Sequence, residues 1–135
     1  MKNILITQSF QKNLKKYRKH FSEQDIKDNI REFVRLGLRK GESELKAMTF
    51  GDITIVIVKL RICVRQAVGR YVLGIINDNE YLPIFIDLKT GYYGKNISLK
   101  ANKKVVSMLE KSLENTLIDY VEHTEKKPRL TKSPI

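Results

Sequence analysis

The run ITIVIVKLRICVR, residues 53 to 65, does most to limit what this chain can become. It begins uniformly apolar and then alternates apolar with cationic residues. A period of two is the signature of a strand, since successive Cβ atoms point to opposite faces of a sheet. One face then carries Val56, Val58, Leu60, Ile62 and Val64. The other carries Ile53, Ile55 and Ile57, followed by Lys59, Arg61, Cys63 and Arg65. A half-apolar, half-cationic face suits a sheet whose helices cover one side and whose opposite side is at least partly open.

The neighbouring sequence supplies those helices. ILIT (4–7) reads as a first strand, and Ser9 as the cap of the helix that follows. In that helix Phe10, Leu14 and Tyr17 share one side and Lys12, Lys15, Lys16 and Lys19 fill the rest of the arc. Ser22 with Asp25 reads as a capping box opening a second helix, with Ile26, Ile30, Phe33 and Val34 as its apolar stripe and Gly37 and Gly41 ending it. After the cationic strand come GRYVLGIIN (69–77), a turn at Asp78-Asn79, and YLPIFIDL (81–88). Pro83 has no N–H for a ladder and so favours an edge or a bulge. KTGYYGKNIS (89–98) reads as a loop. A last helix is expected over about 101–123, its apolar side marked by Val105, Met108 or Leu109, Leu113, Leu117 and Val121. The tail, 124–135, holds two prolines and little to bury and is expected to be disordered. The fold class is α+β, a single domain over 1–123 with helices against one face of an antiparallel-rich sheet.

With 26 basic and 15 acidic residues the formal charge is +11, which points to a polyanionic partner. Residues 1–20 contain Lys2, Lys12, Lys15, Lys16, Arg18 and Lys19 and no acid. On the sheet, Lys59, Arg61 and Arg65 are expected in a row about 7 Å apart, twice the strand rise, with Arg70 entering the next strand. Guanidinium groups present a planar fork that suits phosphate. The bland reading is that long cationic side chains reach to solvent from a half-buried face. Tyr92 and Tyr93 offer rings on which an unpaired base can stack, with Lys89, Lys95 and Lys100 around them, and plain packing is the competing role.

His20 and His123 lack ligand spacing, and Asp52, Asp78, Glu80 and Asp87 form no magnesium cluster, so no metal and no cofactor are expected. RNA cleavage without metal needs only the RNA's own 2′-OH, a base, a proton donor and cations for the developing charge. Cys63 is alone, excludes an internal disulfide and reads as core filler. No apolar run is long enough to span a bilayer and no export signal opens the chain, so a cytoplasmic location is expected and membrane partners are not. The first helix is basic and amphipathic, but its short apolar side is needed for the core.

The chain resembles the RelE/ParE superfamily of bacterial toxin–antitoxin toxins over about residues 4–100. ITQSFQKNLKKY (6–17), ELKAM (44–48), KLRI (59–62), GRYVLGII (69–76), YLPIFIDLKTG (81–91) and NIS (96–98) carry the likeness. ELKAM resembles the family's short link between helix and sheet. The resemblance implies a RelE-like fold with an added C-terminal helix. It implies a ribosome-dependent mRNA endoribonuclease that inhibits translation and is neutralised by a cognate antitoxin protein. By position it implies Arg61, Arg70, Lys59, Tyr93 and Lys89 as catalytic, and makes Arg65, Tyr92, Lys95, Lys12 and Lys16 candidates for RNA contact. Arg61 and Arg70 would hold the scissile phosphate, Lys59 would activate the 2′-OH or hold RNA, and Tyr93 or Tyr92 would orient the nucleotide. No histidine lies near Tyr93, and the connection CVRQAVGR is longer than the compact form of the motif. The terminal helix and tail are candidates to dock the antitoxin, the ribosome or a second copy in a homodimer. A DNA gyrase-inhibiting toxin of the ParE-like branch and a nonenzymatic RNA- or ribosome-binding module remain as alternatives.

Overall fold

The computed structural model describes residues 1–98 and 102–135. The described elements run β1 (Asn3–Thr7), α1 (Gln8–Lys15), α2 (Glu23–Leu36), β2 (Ser43–Phe50), β3 (Ile53–Val64), β4 (Ala67–Ile76), β5 (Glu80–Leu88), α3 (Lys103–Glu122) and β6 (Leu130–Pro134). A single 3₁₀ turn, Gly94–Asn96, follows β5. The strands form one six-stranded sheet in the order β2-β3-β4-β5-β1-β6. All pairs are antiparallel except β1 with β5. The architecture is α+β, as the alternation and helix signals indicated.

The alternation along β3 divides the sheet as expected. Val58, Leu60 and Ile62 join Ile4, Ile6, Tyr71, Leu73 and Ile86 on the face that buries Phe10 and Leu14 of α1 and Ile26 and Ile30 of α2. The apolar side of α1 is therefore spent inside the protein. The second face corrects the expectation that all helices lie on one side. α3 covers it with Val105 and Leu109, over Ile55, Ile57, Val72, Ile76, Leu82 and Ile84. The reason lies in β3, whose uniformly apolar start needs a cover that its cationic end does not. Val121, assigned to the α3 stripe, is 77% exposed. Lys100, and the expected first residue of that helix at 101, lie outside the described residues. No helix among the described residues is long and apolar enough to cross a membrane.

Four local readings change. The cap of α1 is Thr7, whose hydroxyl accepts from the Phe10 N–H, while Ser9 instead binds Asp119 of α3. ELKAM is not a link but the body of β2, pairing with β3 from Ser43↔Lys59 to Phe50↔Ile53. The tail is ordered at its end, since β6 pairs along β1 from Asn3↔Pro134 to Thr7↔Leu130. Backbone pairing outweighs its lack of apolar residues. The turn after β4 places the positive φ values at Asn77 and Asp78, one residue earlier than read. Pro83 sits at the shift in register between β4 and β5, so the bulge it favours is present. The Ser22/Asp25 capping box is formed in both directions.

Candidate nucleic-acid interface

β3 and β4 meet through a two-residue turn. Val64 pairs with Ala67, and Arg65 and Gln66 both have positive φ, 47° and 72°. The connection is thus compact, contrary to the reading of CVRQAVGR as long. It also removes Arg65 from the cationic row. Its side chain leaves the turn to bind the His20 carbonyl at 3.1 Å and Asp25 Oδ2 at 3.2 Å. The φ reversal at the turn, which strand periodicity does not register, is the physical cause. Arg65 serves as a link between the hairpin end and the start of α2.

What remains of the row is tighter than expected. Arg61 lies directly opposite Arg70 in the β3–β4 ladder, and opposed residues of an antiparallel pair have Cα atoms about 4.5–5.5 Å apart. Like charges so placed repel. Among the described residues neither guanidinium has a carboxylate within ion-pair distance. Lys59, paired with Val72, lies two residues along the same face and is half-buried. Cys63, expected in the core, is exposed beside Arg61 because this face ends beyond the reach of α3.

The backbone of Arg61 is fastened although β2 stops short of it. Its N–H donates to Glu42 Oε2 at 2.8 Å, and its carbonyl accepts from Arg39 at 3.0 Å and from Asn29 at 3.3 Å. Asn29 in turn accepts from the buried Tyr71 hydroxyl at 2.6 Å. Side chains thereby stand in for the missing strand partner. Burial alone would push the Glu42 carboxyl up, but hydrogen bonds from the Arg39 side chain, the Arg61 N–H and the Arg39 N–H outweigh it and hold it below its ordinary 4.5. A lowered folded value means that this clamp stabilises the protein fully above the unfolded value and loses its contribution as pH falls through the folded one. The stability difference between wild type and Glu42→Gln, measured by urea denaturation, is accordingly expected at neutral pH and expected to vanish in acid. An equal difference at both would contradict the clamp.

Asp87 pairs with Arg70 in register but turns its carboxylate elsewhere. It is 5% exposed. One oxygen accepts from the Tyr17 hydroxyl at 2.7 Å and the Leu88 N–H at 2.8 Å, the other from the Tyr93 N–H at 3.1 Å and the Gly94 N–H at 2.9 Å. Burial, then the bond to Asp87, holds the Tyr17 hydroxyl protonated well above the ordinary phenol value. The loop 89–98 is folded down on this carboxylate. Arg70 completes the closure by donating to the Gly94 carbonyl at 3.3 Å. At Gly94 a Cβ would lie 1.9 Å from the Leu88 oxygen, and at Gly91 2.4 Å from both Asp87 oxygens. Gly94→Ala is expected to cost about 1–3 kcal/mol through this overlap, with a matching fall in the thermal midpoint. An unchanged midpoint would show that the loop is not held so closely.

Tyr93 packs edge-on against Phe85 with centroids 5.8 Å apart and against Tyr92 at 5.2 Å. Tyr92 is 47% exposed, but Lys104 lies over its ring at 5.2 Å and its hydroxyl accepts from Asn102 at 3.1 Å, which ties the loop to the start of α3. Lys89 extends the β4–β5 ladder by its N–H to Val68, and both Lys89 and Lys95 are exposed. Lys12 of α1 and Lys16, the residue that caps its C-terminus, are exposed and line a groove of about 630 Å³ between α1 and α3, whose lining includes Phe85 and Tyr93. The fold thus brings Tyr93 beside two sets of candidates, with Arg70 behind its loop and Lys12 and Lys16 across the groove. Sequence reasoning missed Asp87 and Asn13 as organisers. Asn13 caps the open edge of β5 by bonding both the N–H and the carbonyl of Ile86, at 2.7 and 3.2 Å. A lone buried aspartate at the end of an apolar strand, just before two glycines, was the available signal.

Among the described residues no group of three His, Cys, Asp or Glu side chains is arranged to hold a metal ion. No protein-family model, curated protein or solved structure matches this chain.

Proposed function

We propose that this protein is a metal-free endoribonuclease of the RelE-like kind that cuts mRNA on the ribosome and is held in check by an antitoxin protein. The observation that carries the reading is the opposed pair Arg61 and Arg70, two guanidiniums on an open sheet end, neither with a carboxylate within ion-pair distance among the described residues. A phosphate between them relieves the repulsion and receives charge-assisted bonds. The sequence resemblance supports the ribosome and the antitoxin as partners, and the exposed Lys89 and Lys95 suit backbone contacts.

The chemistry is an in-line attack. The RNA's 2′ oxygen forms a bond to the adjacent phosphorus while the bond to the 5′ oxygen breaks. The products are a 2′,3′-cyclic phosphate and a 5′-hydroxyl. Lys59 is assigned the 2′-OH, whose oxygen its ammonium orients while water takes the proton. Arg61 and Arg70 stabilise the charge gathering on the phosphoryl oxygens. Tyr93 orients the nucleotide, and water or a loop group delivers the proton taken up by the leaving oxygen.

Primer extension on mRNA from a translating extract tests the assignment. Cuts inside translated codons that require ribosomes are expected. Intact mRNA with folded protein would reject it, and inhibition of gyrase supercoiling in the same preparation would place the target elsewhere.

A further inference from the structure

We infer that the groove between α1 and α3 is a subsite for single-stranded RNA, seating one unstacked base on the Tyr93 ring beside the edge of Phe85, reading it with Asn115, and holding the flanking phosphates on Lys12 and Lys16. The inference rests on the RNA reading above and specifies where the strand runs. At about 630 Å³ the groove falls within the range of small-ligand sites. Its lining is partly aromatic, and α3 supplies a wall through Met108, Ser112 and Asn115. Base stacking on aromatic rings is worth about 1–3 kcal/mol and tolerates any base.

Most polar groups of the groove are already committed. Asn13 gives both amide atoms to Ile86. The Ser9 hydroxyl and N–H bind Asp119, and Arg129 is paired with Asp119 and Glu122. The Asn115 side-chain amide has no partner among the described residues, and an amide presents a donor and an acceptor side by side, the pattern of a base edge. Lys12 and Lys16 have no carboxylate within ion-pair distance among the described residues. They also belong to a second hollow, which continues past the groove along Lys15, Arg18, Lys19 and His20 without an acid in its lining. A backbone leaving the groove therefore meets a continuous cationic track. A duplex cannot use the site, because its bases are stacked inside and its major groove is too narrow for side chains.

Fluorescence anisotropy with short 2′-O-methylated RNA tests this apart from cleavage, since such RNA has no free 2′-OH to attack. A failed nuclease assay would leave the result untouched. The single strand is expected to bind at least about tenfold more tightly than a duplex of equal length. In Lys12→Ala/Lys16→Ala the slope of log affinity against log salt is expected to fall by about 1.4, from about 0.7 per phosphate contact on a single strand. Removing two charges from α2 instead, in Lys27→Ala/Arg35→Ala, is expected to leave the slope unchanged. Tyr93→Leu is expected to weaken binding about tenfold for every base. Asn115→Ala is expected to level the wild type's preference among homopolymers. Equal affinity for duplex and single strand, or an unchanged slope in the Lys12/Lys16 variant with an unchanged melting profile, would overturn the proposal. A base preference that survives Asn115→Ala would overturn the reading role.

Discussion

Asp87→Ala is expected to lower folding stability by about 3–5 kcal/mol, read as a fall in the urea midpoint. Its carboxylate accepts four hydrogen bonds while only 5% exposed. Alanine would leave the Tyr17 hydroxyl and the N–H groups of Leu88, Tyr93 and Gly94 without this acceptor, and a buried donor so orphaned costs about 1–3 kcal/mol. Asp87→Asn separates charge-bearing acceptor from mere shape. With the amide oxygen kept on the Tyr93 and Gly94 N–H groups, the NH₂ faces Tyr17, whose hydroxyl can turn to accept, and the Leu88 N–H, which cannot. Asparagine is therefore expected to recover part of the loss and not all of it. Recovery to wild-type stability would show that the loop is held by something other than the carboxylate.

The second large effect concerns activity without stability. Arg61→Ala and Arg70→Ala are each expected to slow cleavage by about 10²–10³, the usual loss on removing one preorganised charge-stabilising donor. Arg61→Ala is expected to leave stability unchanged or slightly raised, because the alanine relieves cross-strand repulsion. Arg70→Ala loses its bond to the Gly94 carbonyl, a cost of about 1 kcal/mol that the same relief partly offsets. A variant that lost activity only in proportion to its unfolded fraction would make these arginines structural.

How much of this was legible beforehand follows from what each signal encodes. The period of two in ITIVIVKLRICVR assigned β3 and divided its faces correctly, because strand geometry leaves a side chain no other choice. The stripes at Phe10/Leu14 and Ile26/Ile30 found both helices of the hairpin for the same kind of reason. The placement of Arg65 failed because a turn with two positive φ values ends the alternation, and Arg65-Gln66 lacks the Asn or Gly that usually announces one. β2 was passed over because, as an edge strand exposed at Glu44, Lys46, Ala47, Thr49 and Phe50, it buries too little to show a pattern. β6 was missed because its order comes from pairing with β1, a partner more than a hundred residues away. Separation along the chain also hid the joining of Lys12 and Lys16 to Tyr93, which depends on α3 crossing to the second face of the sheet. The cations themselves were found by residue type alone, while the pairing of Arg61 with Arg70 needed the ladder register.

The central claim, that an opposed arginine pair promotes attack by the RNA's own 2′ oxygen, is tested most directly by the ends it leaves. Purified protein with programmed ribosomes and an end-labelled mRNA should yield upstream fragments ending in a 2′,3′-cyclic phosphate and downstream fragments beginning with a 5′-hydroxyl. A single 2′-deoxy substitution at the cut position should abolish the product. Fragments with 3′-hydroxyl and 5′-phosphate ends, or cleavage that survives the 2′-deoxy substitution, would contradict the account.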